Sequence, residues 1–235
     1  MSHDEANLPV ALDPSSLVVL FEDNHVIAVY KPPGVLSQGD STGRDSMLEI
    51  TRLWIKEKYQ KPGNVYLGLL HRLDRPVAGV LIFAKTSKAA SRLSDQFRKR
   101  TTAKTYWAWI EGTTAAAGEL RHHLDWDEAT RRATVVQAPA GKAADLTYRR
   151  LKIVENRTLV EVALGTGRKH QIRVQFAAIG KPILGDKNYG SKFASPVSGI
   201  ALLAYRLTFA HPVKTETRIT VEVPASVLEA SGWRA

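Results

Sequence analysis

The chain of 235 residues carries 33 Lys and Arg against 23 Asp and Glu, a formal net charge of +10, and no cysteine. The missing cysteine excludes disulfide scaffolds, thiolate metal sites, iron–sulfur clusters and cysteine nucleophiles, and a balance of 44% hydrophobic to 24% charged residues excludes a collagenous, coiled-coil or wholly disordered chain. No run reaches the ~18 apolar residues of a spanning helix, and MSHDEANLPVALDPSS lacks the basic start and apolar stretch of a signal peptide, so the expectation is a cytoplasmic protein with no membrane contact and an anionic partner, nucleic acid first among them.

Residues 1–16 read as a flexible tail, and order is expected from residue 17 to 235 as one domain. LVVLF and VIAVY, separated by Glu22-Asp23-Asn24-His25, predict a hairpin, and KPPG at 31–34 stops its second strand because proline cannot donate to a ladder. Ser46 and Glu49 form a capping box for a helix with Ile50, Leu53 and Trp54 as its apolar stripe, ended by Pro62-Gly63. VYLGLL (65–70) and GVLIFA (79–84) predict buried strands on either side of HRLDRPVA. Thr86 or Ser87 caps a second helix to about Lys99, with Ala89, Ala90, Leu93 and Phe97 inward. Residues 85–104 hold seven Lys and Arg with Asp95 as the single acid.

Strands follow. KTYWAWIEG alternates Tyr106, Ala108 and Ile110 against Trp107 and Trp109. GELRHHL pairs with RATVVQA, and DLTYRRLKI with RTLVEVAL around Glu155-Asn156. Helix returns at HQIRVQFAAIG, where Ile172, Phe176 and Ile179 share a face and Gly180 ends it. LLAYRLTF and RITVEV close the chain as strands. Period-2 segments come in adjacent pairs without alternating helices. The fold expected is therefore α+β, a mixed and mostly antiparallel β-sheet flanked by a few helices.

Two segments concentrate chemistry-bearing residues. HRLDRPVA packs His71, Arg72, Asp74 and Arg75 into one loop between strands. An aspartate there is either a structural ion-pair partner or a functional carboxylate, and the segment alone favours the first. LGTGRKHQIRVQF places glycines between a strand and a helix but lacks both phosphate-loop patterns. His170 and Gln171 read there as caps or core polar groups. His122 and His123 are adjacent on a strand, point to opposite faces and cannot chelate one ion together. No serine nucleophile elbow is present.

Taken together, the segments resemble the RluA-type pseudouridine synthases, isomerases of uridine in structured RNA. KPPGVL (31–36), HRLDRPVAGVLIFAK (71–85), KTYWAWIEG (104–112), TGRKHQIRVQFAAIGKPILGDKNYG (166–190) and LTFAHP (207–212) carry the match in family order, from about residue 17 to 224. The departures are Val77-Ala78 before Gly79, where members commonly carry Thr-Ser, and Leu203-Ala204, where many carry a histidine. With residues 1–16 read as a tail, the S4-type RNA-binding domain that many members have is not expected here.

The resemblance implies a pseudouridine synthase catalytic-domain fold, needing neither cofactor nor metal, acting as a monomer on an rRNA or tRNA stem-loop. It implies that Asp74 is the catalytic carboxylate, held ionised by Arg173, and that Tyr106 lies against the target base. Arg72 then enters the space left by the everted uridine. His71, Lys104, Arg168, Lys169, His170 and Gln171 contact the RNA, and Lys85, Lys88, Arg92, Arg98, Lys99 and Arg100 join Lys104, Arg168 and Lys169 in tracking phosphates. On the residues alone, a structural salt bridge for Arg72 and a core role for Tyr106 stay open. Three rivals remain: an inactive RNA-binding module, a carboxylate glycosidase and a nucleotide-binding protein.

Overall fold

The computed structural model describes residues 13–40 and 46–233. Of the tail expected over 1–16, residues 1–12 lie outside the described ones, while Pro14–Ser16 form a 3-10 turn whose amide at Ser15 donates to Asp13 Oδ1. Eleven strands build a single sheet: β1 (Val19–Glu22), β2 (Val26–Lys31), β3 (Gly68–Leu69), β4 (Ala78–Ala84), β5 (Ala103–Glu111), β6 (Ala117–Asp127), β7 (Arg132–Val136), β8 (Lys142–Val154), β9 (Arg157–Leu164), β10 (Leu202–Ala210) and β11 (Arg218–Glu222). The helices are α1 (Met47–Lys58), α2 (Ser87–Lys99), α3 (Gln171–Ala178) and α4 (Ala225–Ala230).

The strand order is β1-β2-β4-β10-β5-β9-β8-β6-β7, with β3 on β4 and β11 on β10. Every pairing among the described strands is antiparallel except β4 with β10. The expected α+β class with a mixed, mostly antiparallel sheet is the one observed. The hairpins expected around 22–25 and 155–156 form, as does the pairing of β6 with β7.

Both predicted caps are in place. Ser46 Oγ accepts from Glu49 N at the start of α1, and Thr86 Oγ1 accepts from Ala89 N at the start of α2. The apolar stripe of α1 differs from the expected one: Met47, Ile50, Thr51 and Ile55 are buried, while Leu53 is 49% exposed. Thr51 turns inward because its hydroxyl donates to Met47 O at 2.6 Å, which removes the cost of burying it. The strand expected over 65–70 shrinks to Gly68–Leu69. A Cβ at Gly68 would lie 2.8 Å from that of Ala90, so α2 packs directly on this stretch. The short α4 has no counterpart among the elements expected.

The insertion of β10 between β4 and β5 is what assembles the site. It brings the loop preceding β4 beside the inner face of β5. Gly79 makes the approach possible: it adopts φ +126°, and a Cβ there would stand 2.3 Å from Ala204 O. Ala204 pairs with Gly79 across the parallel ladder, which gives the departure at Leu203-Ala204 a packing role.

Candidate active site

Asp74 lies on the loop between β3 and β4, and the segment following β2 fixes that loop. Pro32 and Pro33 end β2 and turn the chain. Gly34 N then donates to Arg75 O at 2.7 Å, and Arg75 Nε returns a bond to Gly34 O at 3.1 Å. The Ser37 hydroxyl donates to Leu73 O (2.9 Å) and accepts from Leu73 N (3.0 Å). The backbone on both sides of Asp74 is thus pinned, so the loop holds the carboxylate in fixed geometry.

Lys31 completes this clamp. It is fully buried, and its Nζ donates to Pro32 O (3.0 Å) and Arg75 O (3.1 Å). Burial pushes its pKa from 10.5 to about 7, with Asp74 opposing the shift and Arg75 adding to it.

The opposite wall is α3 and the turn behind it. Arg173 on α3 is 3% exposed, and its guanidinium grips Asp186 through both oxygens, Nε to Oδ2 at 2.6 Å and Nη2 to Oδ1 at 2.8 Å. The remaining arm, Nη1, reaches Asp74 Oδ2 at 3.3 Å. Arg173 therefore does face Asp74, but its principal partner is Asp186, 1% exposed. Asp74 itself is 30% exposed and opens to solvent. His170, at φ 54°, points Nε2 at Asp74 Oδ2 from 3.6 Å and Nδ1 at Tyr189 Oη from 2.8 Å. Burial lowers its pKa and favours the neutral ring, with Asp74 opposing.

Tyr106 on β5 lies near enough to Asp74 to feel its charge. Burial raises its pKa and the negative charge of Asp74 raises it further, so the hydroxyl holds its proton. It shares a cavity of about 10 Å³, room for one water, with His71, Lys104 and Arg206.

The other expected RNA contacts separate into two groups. His71 accepts from Ile82 N at 3.3 Å and stacks on Phe97 at 5.0 Å. Burial, then Lys104, pushes its pKa down to about 3, so the ring is a neutral strut under the loop and not a cation for phosphate. Gln171 is 3% exposed and points inward: its Oε1 accepts from Thr166 Oγ1 (2.7 Å) and Arg168 N (3.0 Å), and its Nε2 donates to Asp145 O (2.9 Å). It shapes the loop before α3 and has no surface left for RNA.

Arg72 is exposed with no ion pair among the described residues. Lys104 is half-buried, and burial with the neighbouring Arg100 lowers its pKa. Arg168 donates to Ala143 O, and Lys169 lies 4.1 Å over the Trp126 ring, near Glu128. The expected phosphate-tracking row is partly neutralised. Lys85 binds Glu22 and Asp23 O, Arg92 binds Pro212 O, and Arg98 and Lys99 pair with Asp95. The sequence reading did not single out Lys31, Asp186 or Tyr189, although all three fall inside the segments it compared.

A model of the RNA pseudouridylate synthase family matches residues 25–178. The chain belongs to that family. Relatives of this pseudouridine synthase include an uncharacterized RNA pseudouridine synthase of Aquifex aeolicus, 32% identical over 96% of this chain and 76% of the relative. The dual-specificity RNA pseudouridine synthase RluA of Haemophilus ducreyi is 31% identical over 84% of this chain and 88% of the relative. Ribosomal large subunit pseudouridine synthase C of Rickettsia felis is 32% identical over 83% of this chain and 63% of the relative.

The fold is that of human RNA pseudouridylate synthase domain containing 4, with a TM-score of 0.73, 21% identity and 91% of each chain covered. Pseudouridine synthases are isomerases, so the expected enzyme class stands. Among the described residues of this synthase, no helix is long and apolar enough to cross a membrane.

Proposed function

We propose that the chain converts uridine to pseudouridine in structured RNA, rRNA or a tRNA stem-loop, with Asp74 as the catalytic carboxylate. The observation that carries this reading is the half-open carboxylate of Asp74 held 3.3 Å from a buried arginine that a second acid keeps in place. The reaction breaks the bond from ribose C1′ to N1, turns the uracil and joins C1′ to C5. The proton leaving C5 is balanced by one gained at N1, so no oxidant, reductant or cofactor enters. Asp74 either attacks the sugar or base or removes a ribose proton. Arg173 offers that carboxylate a fixed, permanently charged hydrogen-bond donor in each case.

A uridine stacked in a helix cannot reach this carboxylate, so it must be everted, at a cost of a few kcal/mol. Arg72, exposed two residues before Asp74, is placed to enter the vacated space, and the Tyr106 ring to stack on the base. Burial and the neighbouring Arg100 disfavour the charge of Lys104, an arrangement that a polyanion relieves. The names of two relatives, one a ribosomal large subunit synthase and one a dual-specificity RNA synthase, support RNA, rRNA among it, as substrate. A tRNA stem-loop as target and the cytoplasm as location are part of the proposal. A monomer suffices, since both walls come from one chain.

Pseudouridine mapping by carbodiimide adducts and primer extension, in RNA from cells with and without the gene, tests the proposal. One or more uridines should lose their stops in the deletion and regain them with the native gene but not with Asp74→Asn, which still binds RNA. Unchanged stops in the deletion would favour an inactive RNA-binding module. Free uracil released from RNA would favour a glycosidase. Conversion confined to intact ribosomal subunits, with none in isolated hairpins, would remove the stem-loop part of the proposal.

A further inference from the structure

We infer that Tyr189 and His170 are positioning residues that select which oxygen of Asp74 reacts, an inference that rests on the synthase reading above. Tyr189 Oη accepts from Ala133 N on β7 at 2.9 Å and lies 2.8 Å from His170 Nδ1. A phenol has one hydrogen to give. With the Ala133 amide already donating to its oxygen, that hydrogen goes to His170 Nδ1, and the neutral imidazole keeps its own on Nε2. The other tautomer would put two N–H donors on the phenol oxygen and leave its O–H with no acceptor among the described residues.

The protonated nitrogen is therefore the one facing Asp74 Oδ2, at 3.6 Å. Arg173 Nη1 approaches the same oxygen at 3.3 Å. Arg173 hydrogen-bonds Oδ2 and His170 Nε2 faces the same oxygen from just beyond hydrogen-bond distance, while the described residues direct no hydrogen bond at Oδ1. Oδ1 is the oxygen left for the ribose or the base. Both contacts are longer than an ordinary charge-assisted hydrogen bond, a geometry that tightens when substrate closes the site. The imidazole is braced for this task by T-shaped ring contacts with Trp126 at 5.1 Å and Tyr189 at 5.6 Å between ring centroids. Neither His170 nor Tyr189 needs to touch the reacting atoms, because each acts through the orientation of Asp74.

Nitrogen-15 NMR of the histidine-labelled protein, without RNA, reads the tautomer directly. Nδ1 of His170 should resonate as an unprotonated nitrogen and Nε2 as a protonated one, and Tyr189→Phe should mix the two forms. Turnover is read by tritium release from large-subunit rRNA and tRNA transcripts carrying 5-tritiated uridine. Tyr189→Phe should lower kcat about tenfold, and His170→Ala on the order of 100-fold, with KM unchanged. His170→Gln, which keeps a donor near the Nε2 position, should recover most of the loss.

A hydrogen found on Nδ1 in the unaltered protein overturns the inference. So does a folded Tyr189→Phe with native kcat, or a His170→Gln no better than His170→Ala. Absence of tritium release from the unaltered protein brings down the synthase reading instead, while the NMR experiment still decides the order of the hydrogen bonds.

Discussion

Two aspartates touch the same arginine, and their surroundings give them opposite tasks. Asp186 is buried, binds Arg173 through both oxygens and leaves a guanidinium inside the protein if it is lost. Asp74 is half-open and holds one long contact to the same group. Removing one partner of a buried pair costs about 3–5 kcal/mol, whereas a partly exposed contact is worth under about 1 kcal/mol. Asp186→Asn should therefore destabilise the protein by about 3 kcal/mol in urea melts, and Asp74→Asn by less than about 1 kcal/mol while ending turnover. Equal losses of stability would mean that Asp74 is as structural as its neighbour.

Lys31 extends the residue scale to pH. In the folded chain its pKa falls to about 7 from the usual 10.5. Between those values the unfolded chain binds more protons at this residue, so the lysine's contribution to stability rises with pH across that window. It falls as pH drops, and below about pH 7 the penalty is complete. Lys31→Met should flatten the slope of unfolding free energy between pH 7 and 10 by at most about 1.4 kcal/mol per pH unit. An identical slope in both proteins would place the ammonium in a better-solvated site than its burial indicates.

At the scale of elements, the parallel contact of β4 with β10 admits only a glycine at position 79. Its φ of +126° is strained for any other residue, and a Cβ would meet the Ala204 backbone. Gly79→Ala should cost about 3 kcal/mol or more in thermal or urea unfolding, and should loosen the Asp74 loop that leads into β4. A near-native melt would mean that β10 can move aside.

This is also the scale at which the sequence becomes silent. The hairpins at 22–25 and 155–156 and the caps at Ser46 and Thr86 are legible because turn and cap chemistry act over three or four residues. LLAYRLTF shows a buried strand but carries no mark of its neighbours, so the insertion of β10 is invisible. The site divides likewise. HRLD and the segment around Arg173 stand out together, yet nothing local distinguishes Asp186 as buried, and the local reading of Gln171 as a cap or core polar group, which its burial matches, gives way to an RNA contact only through the resemblance. The burial of Asp186 depends on what the chain brings back from far away in sequence.

Over the whole molecule, the net charge of +10 is a poor guide to where RNA lies, because much of it is already used. Lys85 is tied to Glu22 and to a backbone carbonyl, whereas Arg100 has no ion pair among the described residues and presses its charge on Lys104 beside the site. Each phosphate neutralised by a protein cation releases condensed counterions, so the slope of log affinity against log salt counts such contacts, about 0.7–0.9 per phosphate. Arg100→Gln should reduce that slope by nearly one unit for structured RNA, and weaken binding across sequences alike. Lys85→Gln should leave the slope unchanged and appear instead as lost stability, since Glu22 then keeps Lys58 as its remaining cation. The same slope change from both substitutions would mean that RNA reaches the β1–β2 turn and pulls Lys85 out of its pair, moving the binding surface well away from the Asp74 cleft.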